Sequence, residues 1–176
     1  MTVQRLHHVA YRCRDAKKTV EFYEKYLDLE FNAAIAENIV PSTGERSPHI
    51  HIFLKMDDDS SVAFFELPES DDMQADPNTP DWVQHLAMKV ENMDTLLDYK
   101  QRLEAGGLDV LGPIDHSFCH SIYFHDPSGH RLELTADADL PDLITEMHST
   151  ARPILESWDE HREAVDVDPL HANARN

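Results

Sequence analysis

The sequence predicts an α+β fold: two βαβββ modules forming a curved, open mixed-sheet cup with helices outside, plus a C-terminal helical extension. Three observations carry this expectation. A weak internal repeat lays Leu6-His7-His8-Val9-Ala10-Tyr11-Arg12 over Val83-Gln84-His85-Leu86-Ala87-Met88-Lys89. Each copy alternates with period two, as a half-buried strand does. After each copy a helical stripe is followed by three further strand patterns, and nothing beyond residue 136 repeats.

The elements follow in order. In the first strand His8, Ala10 and Arg12 share one face, and Val9, Tyr11 and Cys13 share the other. The second copy divides the same way, with His85, Ala87 and Lys89 opposite Leu86, Met88 and Val90. The apolar face packs, and the small and polar face opens to solvent or a ligand. Asp15 is an N-cap for a helix whose stripe is Val20, Tyr23 and Leu27, widened by Phe22 and Tyr26. In the second copy Asn92 caps, Leu96, Tyr99 and Leu103 form the stripe, and Gly106-Gly107 stops the helix. These aromatic stripes are core. Strands are expected near 30–36, 49–55 and 62–67, then near 108–113, 119–125 and 130–136, the last two joined by the turn Asp126-Pro127-Ser128-Gly129. Two short helices over 140–149 and 152–163, with Pro141 and Pro153 near their starts, complete the extension. The layout is a first module over 1–68, a linker over 69–80, a second module over 81–136, the extension over 137–163 and a flexible tail over 164–176.

Composition narrows the function classes. The 176 residues carry 15 Lys plus Arg against 34 Asp plus Glu, a net charge of -19. That excess argues against nucleic acid and anionic membranes, which need a basic face. No apolar run approaches the ~20 residues of a membrane span, and the polar N-terminus lacks an apolar signal region. Only Cys13 and Cys119 are present, so neither a disulfide framework nor a CxxC metal knuckle is expected, and a reducing cytoplasm is the expected compartment. Twelve histidines point instead to metal or acid–base chemistry.

The candidate site is built on that histidine content. The fourth strands contain Phe64-Phe65-Glu66-Leu67 and Arg131-Leu132-Glu133-Leu134. A carboxylate between apolar residues in a strand is unusual unless it is paired or binds metal. With Glu133 on the open face, His8, His85 and Glu133 make two imidazoles and one carboxylate, a facial triad that suits Fe(II) and oxygen chemistry. A single strand histidine is more often structural, and Glu133 has salt-bridge partners to choose from. Their joint occurrence at the repeat's open-face positions favours the metal.

These residues resemble the vicinal oxygen chelate superfamily, built from paired βαβββ modules and including glyoxalase, fosfomycin-resistance and extradiol dioxygenase members. The likeness covers about residues 4–136. The second module is similar to type I extradiol ring-cleavage dioxygenases, on Ile114-Asp115-His116, Ile122-Tyr123, Asp126-Pro127-Ser128-Gly129 and Glu133. The resemblance implies a catechol-like dihydroxy-aromatic substrate opened with O2 on a divalent metal, Fe(II) first and Mn(II), Ni(II) or Zn(II) as alternatives. It implies His116 and Tyr123 as hydrogen-bonding catalytic residues and a first-module histidine, His51 in preference to His49, as acid–base catalyst. Arg12 and Lys89, at equivalent open-face positions, allow an anionic substituent on the substrate or pair with the many acids. A homodimer is the expected assembly, because the modules can complete a cup within one chain or by exchange between two. Two rival readings stand. Glu66 as fourth ligand and base would give a glyoxalase-like isomerase or lyase, and the same fold without metal would be a binding protein.

Overall fold

The computed structural model describes residues 2–74 and 76–163; the tail expected over 164–176 lies outside them. In chain order the elements are β1 (His8–Cys13), α1 (Ala16–Leu27), β2 (Glu30–Ile39), β3 (Arg46–Lys55), β4 (Ser61–Glu66), β5 (Leu86–Lys89), α2 (Met93–Ala105), β6 (Leu111–Asp115), β7 (Cys119–His125), β8 (Arg131–Asp137) and α3 (Pro141–His161). They form two open four-stranded sheets, ordered β1-β4-β3-β2 and β5-β8-β7-β6. The expected α+β class with strand–helix–three strands, twice, is what the chain builds.

Local chemistry explains each element. The Asp15 side chain accepts from Lys18 N at 2.9 Å and starts α1. Asp28, at φ 56, ends it in the left-handed region. Between those caps Thr19, Phe22, Tyr23 and Leu27 are buried, and α1 packs on β2, β3 and β4. Tyr23 and Phe64 meet with ring centroids 5.2 Å apart. Each such aromatic or leucine removed from water contributes roughly 1.5–3 kcal/mol. In the first sheet β1 runs parallel to β4, because α1 carries the chain across, whereas β2–β3 and β3–β4 are antiparallel. Asn92 Oδ1 accepts from Thr95 N at 3.0 Å and opens α2. Gly106 lets the Tyr26 ring pack closely on the end of α2, since a Cβ there would stand 2.5 Å from that ring and push it aside. Leu108 N bonds to Leu103 O as part of the helix end, so β6 begins at Leu111 rather than near 108.

Two further expectations are corrected. The repeat placed His85 inside a strand, but β5 starts at Leu86, because Val83 N bonds back to Pro80 O in a turn. The extension is one helix, not two. Pro153 lies inside α3; its fixed φ is compatible with helix, and it deletes one hydrogen bond without ending the element. The periodicity runs straight through it: Leu143, Met147, Thr150, Ile154 and Ser157 are the less exposed positions, in one unbroken stripe.

The chain divides into two compact units. The first holds Met1–Leu86, Gln101–Asp109 and Phe124–Leu132; the second holds Ala87–Lys100, Val110–Tyr123 and the residues from Glu133 onward. Within the first, buried Asp126 accepts from Ser128 N, His130 N and the Tyr23 hydroxyl, which anchors the β7–β8 turn. No helix among the described residues is long and apolar enough to cross a membrane.

Candidate functional site

In the first unit, registers fix which side chains share the open face of the first sheet. Arg12 pairs with Phe65 across β1–β4, Phe65 with His51 across β3–β4, and His51 with Ile35 across β2–β3. Two residues along, Ala10, Ala63 and Phe53 are partners in the same way, and Phe53 faces Ala33. His8 follows at the start of β1. Ala10 and Ala33 are exposed on this face, Ala63 between them is fully covered, and aromatic rings border the row. His51 stacks on Phe65 with centroids 3.7 Å apart and planes at 17°, and lies 4.1 Å from the Phe53 centroid. The His8 ring is exposed, 6.1 Å from His51 and 5.6 Å from Phe53, with its Nδ1 2.8 Å from that of His7.

The two candidate acid–base histidines differ. His49 is held at one nitrogen, where Nδ1 donates to Ser47 O at 2.7 Å, and its Nε2 faces a Glu37 carboxylate oxygen 3.7 Å away. His51 Nε2 is buried and has no hydrogen-bond partner among the described residues. Burial, then the charges of His8 and His49, hold its pKa below the ordinary imidazole value, so the ring stays neutral near pH 7. Only His51 keeps a nitrogen for chemistry.

Glu66 turns the other way. Its register partner on β1 is Cys13, which is 1% exposed in the core, and its Oε2 accepts from Ala16 N at 2.6 Å at the first turn of α1. A carboxylate at a helix N-terminus satisfies an orphan donor and meets the positive end of the dipole. This placement of Glu66 as a cap of α1 speaks against the rival reading in which it is a fourth metal ligand and base. A single-residue phase difference puts Phe65, not Glu66, on the open face.

In the second unit β8 has the phase the sequence assigned. Leu134 and Ala136 are buried on one side. On the other, Thr135 accepts from the Ser121 hydroxyl at 3.1 Å, and Glu133, only 7% exposed, is hydrogen-bonded by Tyr123. His116 Nε2 lies 2.8 Å from the Tyr123 hydroxyl. Glu133, Tyr123 and His116 thus form a chain of carboxylate, phenol and imidazole. Burial, then the Glu133 charge, raises the Tyr123 pKa, which keeps the phenol protonated and a donor. His85 is exposed just ahead of β5 and, in the first unit, lines a cavity of about 820 Å³ with Tyr11, Arg14, Asp81 and His130. The described residues contain no group of three or more His, Cys, Asp or Glu side chains placed to hold a metal ion.

Sequence reasoning missed the aromatic border, Phe53 and Phe65. The alternation of His49, His51, Phe53 and Lys55 with Ile50, Ile52 and Leu54 already carried it.

A strand–helix–three-strand module made twice, with a histidine beginning the first strand and a buried glutamate in the last, defines a class of paired-module α+β proteins. The chain belongs to the Glyoxalase/Bleomycin resistance protein/Dioxygenase superfamily, whose family description matches residues 5–134. It is 26% identical over 143 residues, 79% of its own length, to a proposed ring-cleaving dioxygenase, MhqA, of Bacillus subtilis strain 168, and spans 42% of that relative. Among solved structures it resembles a glyoxalase/bleomycin resistance protein/dioxygenase domain from Frankia sp. EAN1pec, with a TM-score of 0.63 at 18% identity over 78% of this chain and 95% of that one. It also resembles the fosfomycin resistance protein FosX of Listeria monocytogenes with Mn(II) and sulfate, with a TM-score of 0.57 at 20% identity over 81% and 99%. At those identities the structural likenesses speak for the fold.

Proposed function

We propose that the protein is a metal-dependent dioxygenase that opens the ring of a catechol-like dihydroxy-aromatic substrate with O2, using His8, His85 and Glu133 as metal ligands. The observation that carries the reading is the Glu133–Tyr123–His116 chain, in which a buried carboxylate, a protonated phenol and an imidazole follow one another in contact. The named activity of MhqA supports it.

The donor chemistry fits a divalent ion. Two imidazoles and a carboxylate are ligands common to Fe(II), Mn(II) and Zn(II), and the buried, unpartnered Nε2 of His51 beside His8 is a polar group awaiting a ligand-bearing site. A bound ion would supply a Lewis acid for two adjacent hydroxyls and, as Fe(II), electrons for reaction with O2. The chain's own residues do the remaining work. The aromatic border of Phe53, Phe65 and His51 holds a flat ring beside Ala10. His51 accepts a hydroxyl proton at Nε2, being neutral and unpaired there. With the carboxylate engaged by an ion, the single Tyr123 hydroxyl proton would turn from Glu133 to oxygen at the reacting centre, with His116 holding the phenol. Both atoms of O2 enter the ring-opened product.

The test is anaerobic reconstitution with Fe(II), then oxygen uptake against catechols. Stoichiometric O2 consumption with a yellow ring-opened product is expected. Turnover of another substrate with Ni(II), Zn(II) or Mn(II) and no O2 would assign an isomerase or lyase instead.

A further inference from the structure

We infer that Arg12 is a specificity-determining residue that recognises the carboxylate of a flat aromatic acid lying along the open face of the first sheet. The inference rests on the proposed ring-cleavage site and narrows its substrate class to acids.

Arg12 is a half-buried arginine in a chain of net charge -19, and it pairs with no carboxylate among the described residues. Its one side-chain hydrogen bond there runs from Nη2 to the Asp71 carbonyl, and its Nε is buried without an acceptor. The equivalent open-face cation behaves otherwise: the Lys89 ammonium is neutralised by Asp137. A guanidinium has five donors. Here one is taken by a neutral carbonyl, which fixes the side chain without discharging it, and the outer nitrogens keep donors for a carboxylate in the two-point geometry that arginine favours. Backbone position is fixed too, since Arg12 O accepts from His130 Nε2 at 2.6 Å.

The surroundings state what the carboxylate is attached to. Arg12, Phe65 and His51 form one transverse row, and Phe65 and His51 are stacked. Beside that row Ala10 is exposed on β1 and carries nothing beyond its Cβ, which leaves its surface open to a planar ring. His8 lies four residues back along β1, roughly 13 Å between Cα atoms at ~3.3 Å per residue. An arginine side chain and a single-ring acid span that distance, with the carboxylate at Arg12 and the opposite edge of the ring toward His8. A neutral catechol leaves the guanidinium unmatched.

Benzoate and its neutral analogue benzamide test this on the full chain by ligand-observed NMR titration. Benzoate is expected to bind at least tenfold more tightly than benzamide, and Arg12→Gln to erase the difference while Arg12→Lys restores part of it. Circular dichroism checks that the variants fold, and the benzoate–benzamide comparison on the unaltered protein needs no variant. Equal binding of the two ligands, or undiminished benzoate binding by Arg12→Gln, overturns the inference. Turnover separates it from the parent reading. On Fe(II)-loaded protein the kcat/KM ratio of 3,4-dihydroxybenzoate to catechol should fall at least tenfold in Arg12→Gln. An unchanged ratio with active ring cleavage defeats the Arg12 assignment alone, and arginine-dependent benzoate binding without any oxygen uptake defeats ring cleavage alone.

Discussion

The last strands of the two sheets look alike in sequence and differ by one step of phase. In β4, Phe64-Phe65-Glu66 turns Glu66 to the helix side, where it receives Ala16 N. In β8, Leu132-Glu133-Leu134 turns Glu133 away from the buried leucines and into contact with Tyr123. One carboxylate serves as a helix cap, and the other is held by a phenol that in turn meets an imidazole. A glutamate between apolar residues therefore says that a carboxylate is being held; which face holds it depends on a register the local motif does not contain.

The largest expected effect breaks this contrast directly. Glu133→Gln should weaken metal retention by more than about 100-fold and leave no measurable turnover, read by metal analysis after gel filtration and by oxygen uptake. Glu66→Gln should keep metal and activity and cost roughly 1 kcal/mol of stability for the altered cap. Metal loss in the Glu66 variant would restore the four-ligand reading.

Next in size is the pair on β3. His51→Ala should lower kcat by about 10²–10⁴-fold, the usual worth of a general acid–base. His49→Ala should act mainly on thermal stability, because its ring is tied to Ser47 and Glu37. Equal kinetic losses would remove the distinction between a free and a satisfied imidazole. Across the second sheet, Tyr123→Phe should slow turnover by about 100-fold with metal content retained.

The smallest effect sharpens the claim that Glu66 shares the core side of β1 and β4. Its partner Cys13 has its thiol pushed up from 9.0 to about 11, chiefly by burial. The folded state therefore keeps that proton while the unfolded state loses it. Stability from this group is full below pH 9 and declines as pH rises toward 11, by on the order of 2–3 kcal/mol at most. Urea melts at pH 8 and pH 10.5 should show a steeper loss in the wild type than in Cys13→Ala.

Much of this was legible in the residues alone. Period-two alternation divided β1 correctly, because Cys13 and, in β5, Met88 are buried as their phase requires. Helix caps at Asp15 and Asn92 follow from side-chain chemistry that acts within three residues. What failed depended on longer range. Glu66 was matched to Glu133 by neighbours in sequence, while its true face is set by pairing with Cys13 across the sheet. Pro153 read as a helix start because proline favours that position, but one stripe spanning the whole of α3 outweighs a single lost hydrogen bond. The aromatic border needed three registers at once, and no single strand displays it.

Diffraction from crystals grown with Mn(II), collected at the manganese edge, would test the metal assignment most directly. The account predicts one anomalous peak per site, bonded to His8, His85 and Glu133. A peak bonded to Glu66, or lying away from Glu133, would contradict it.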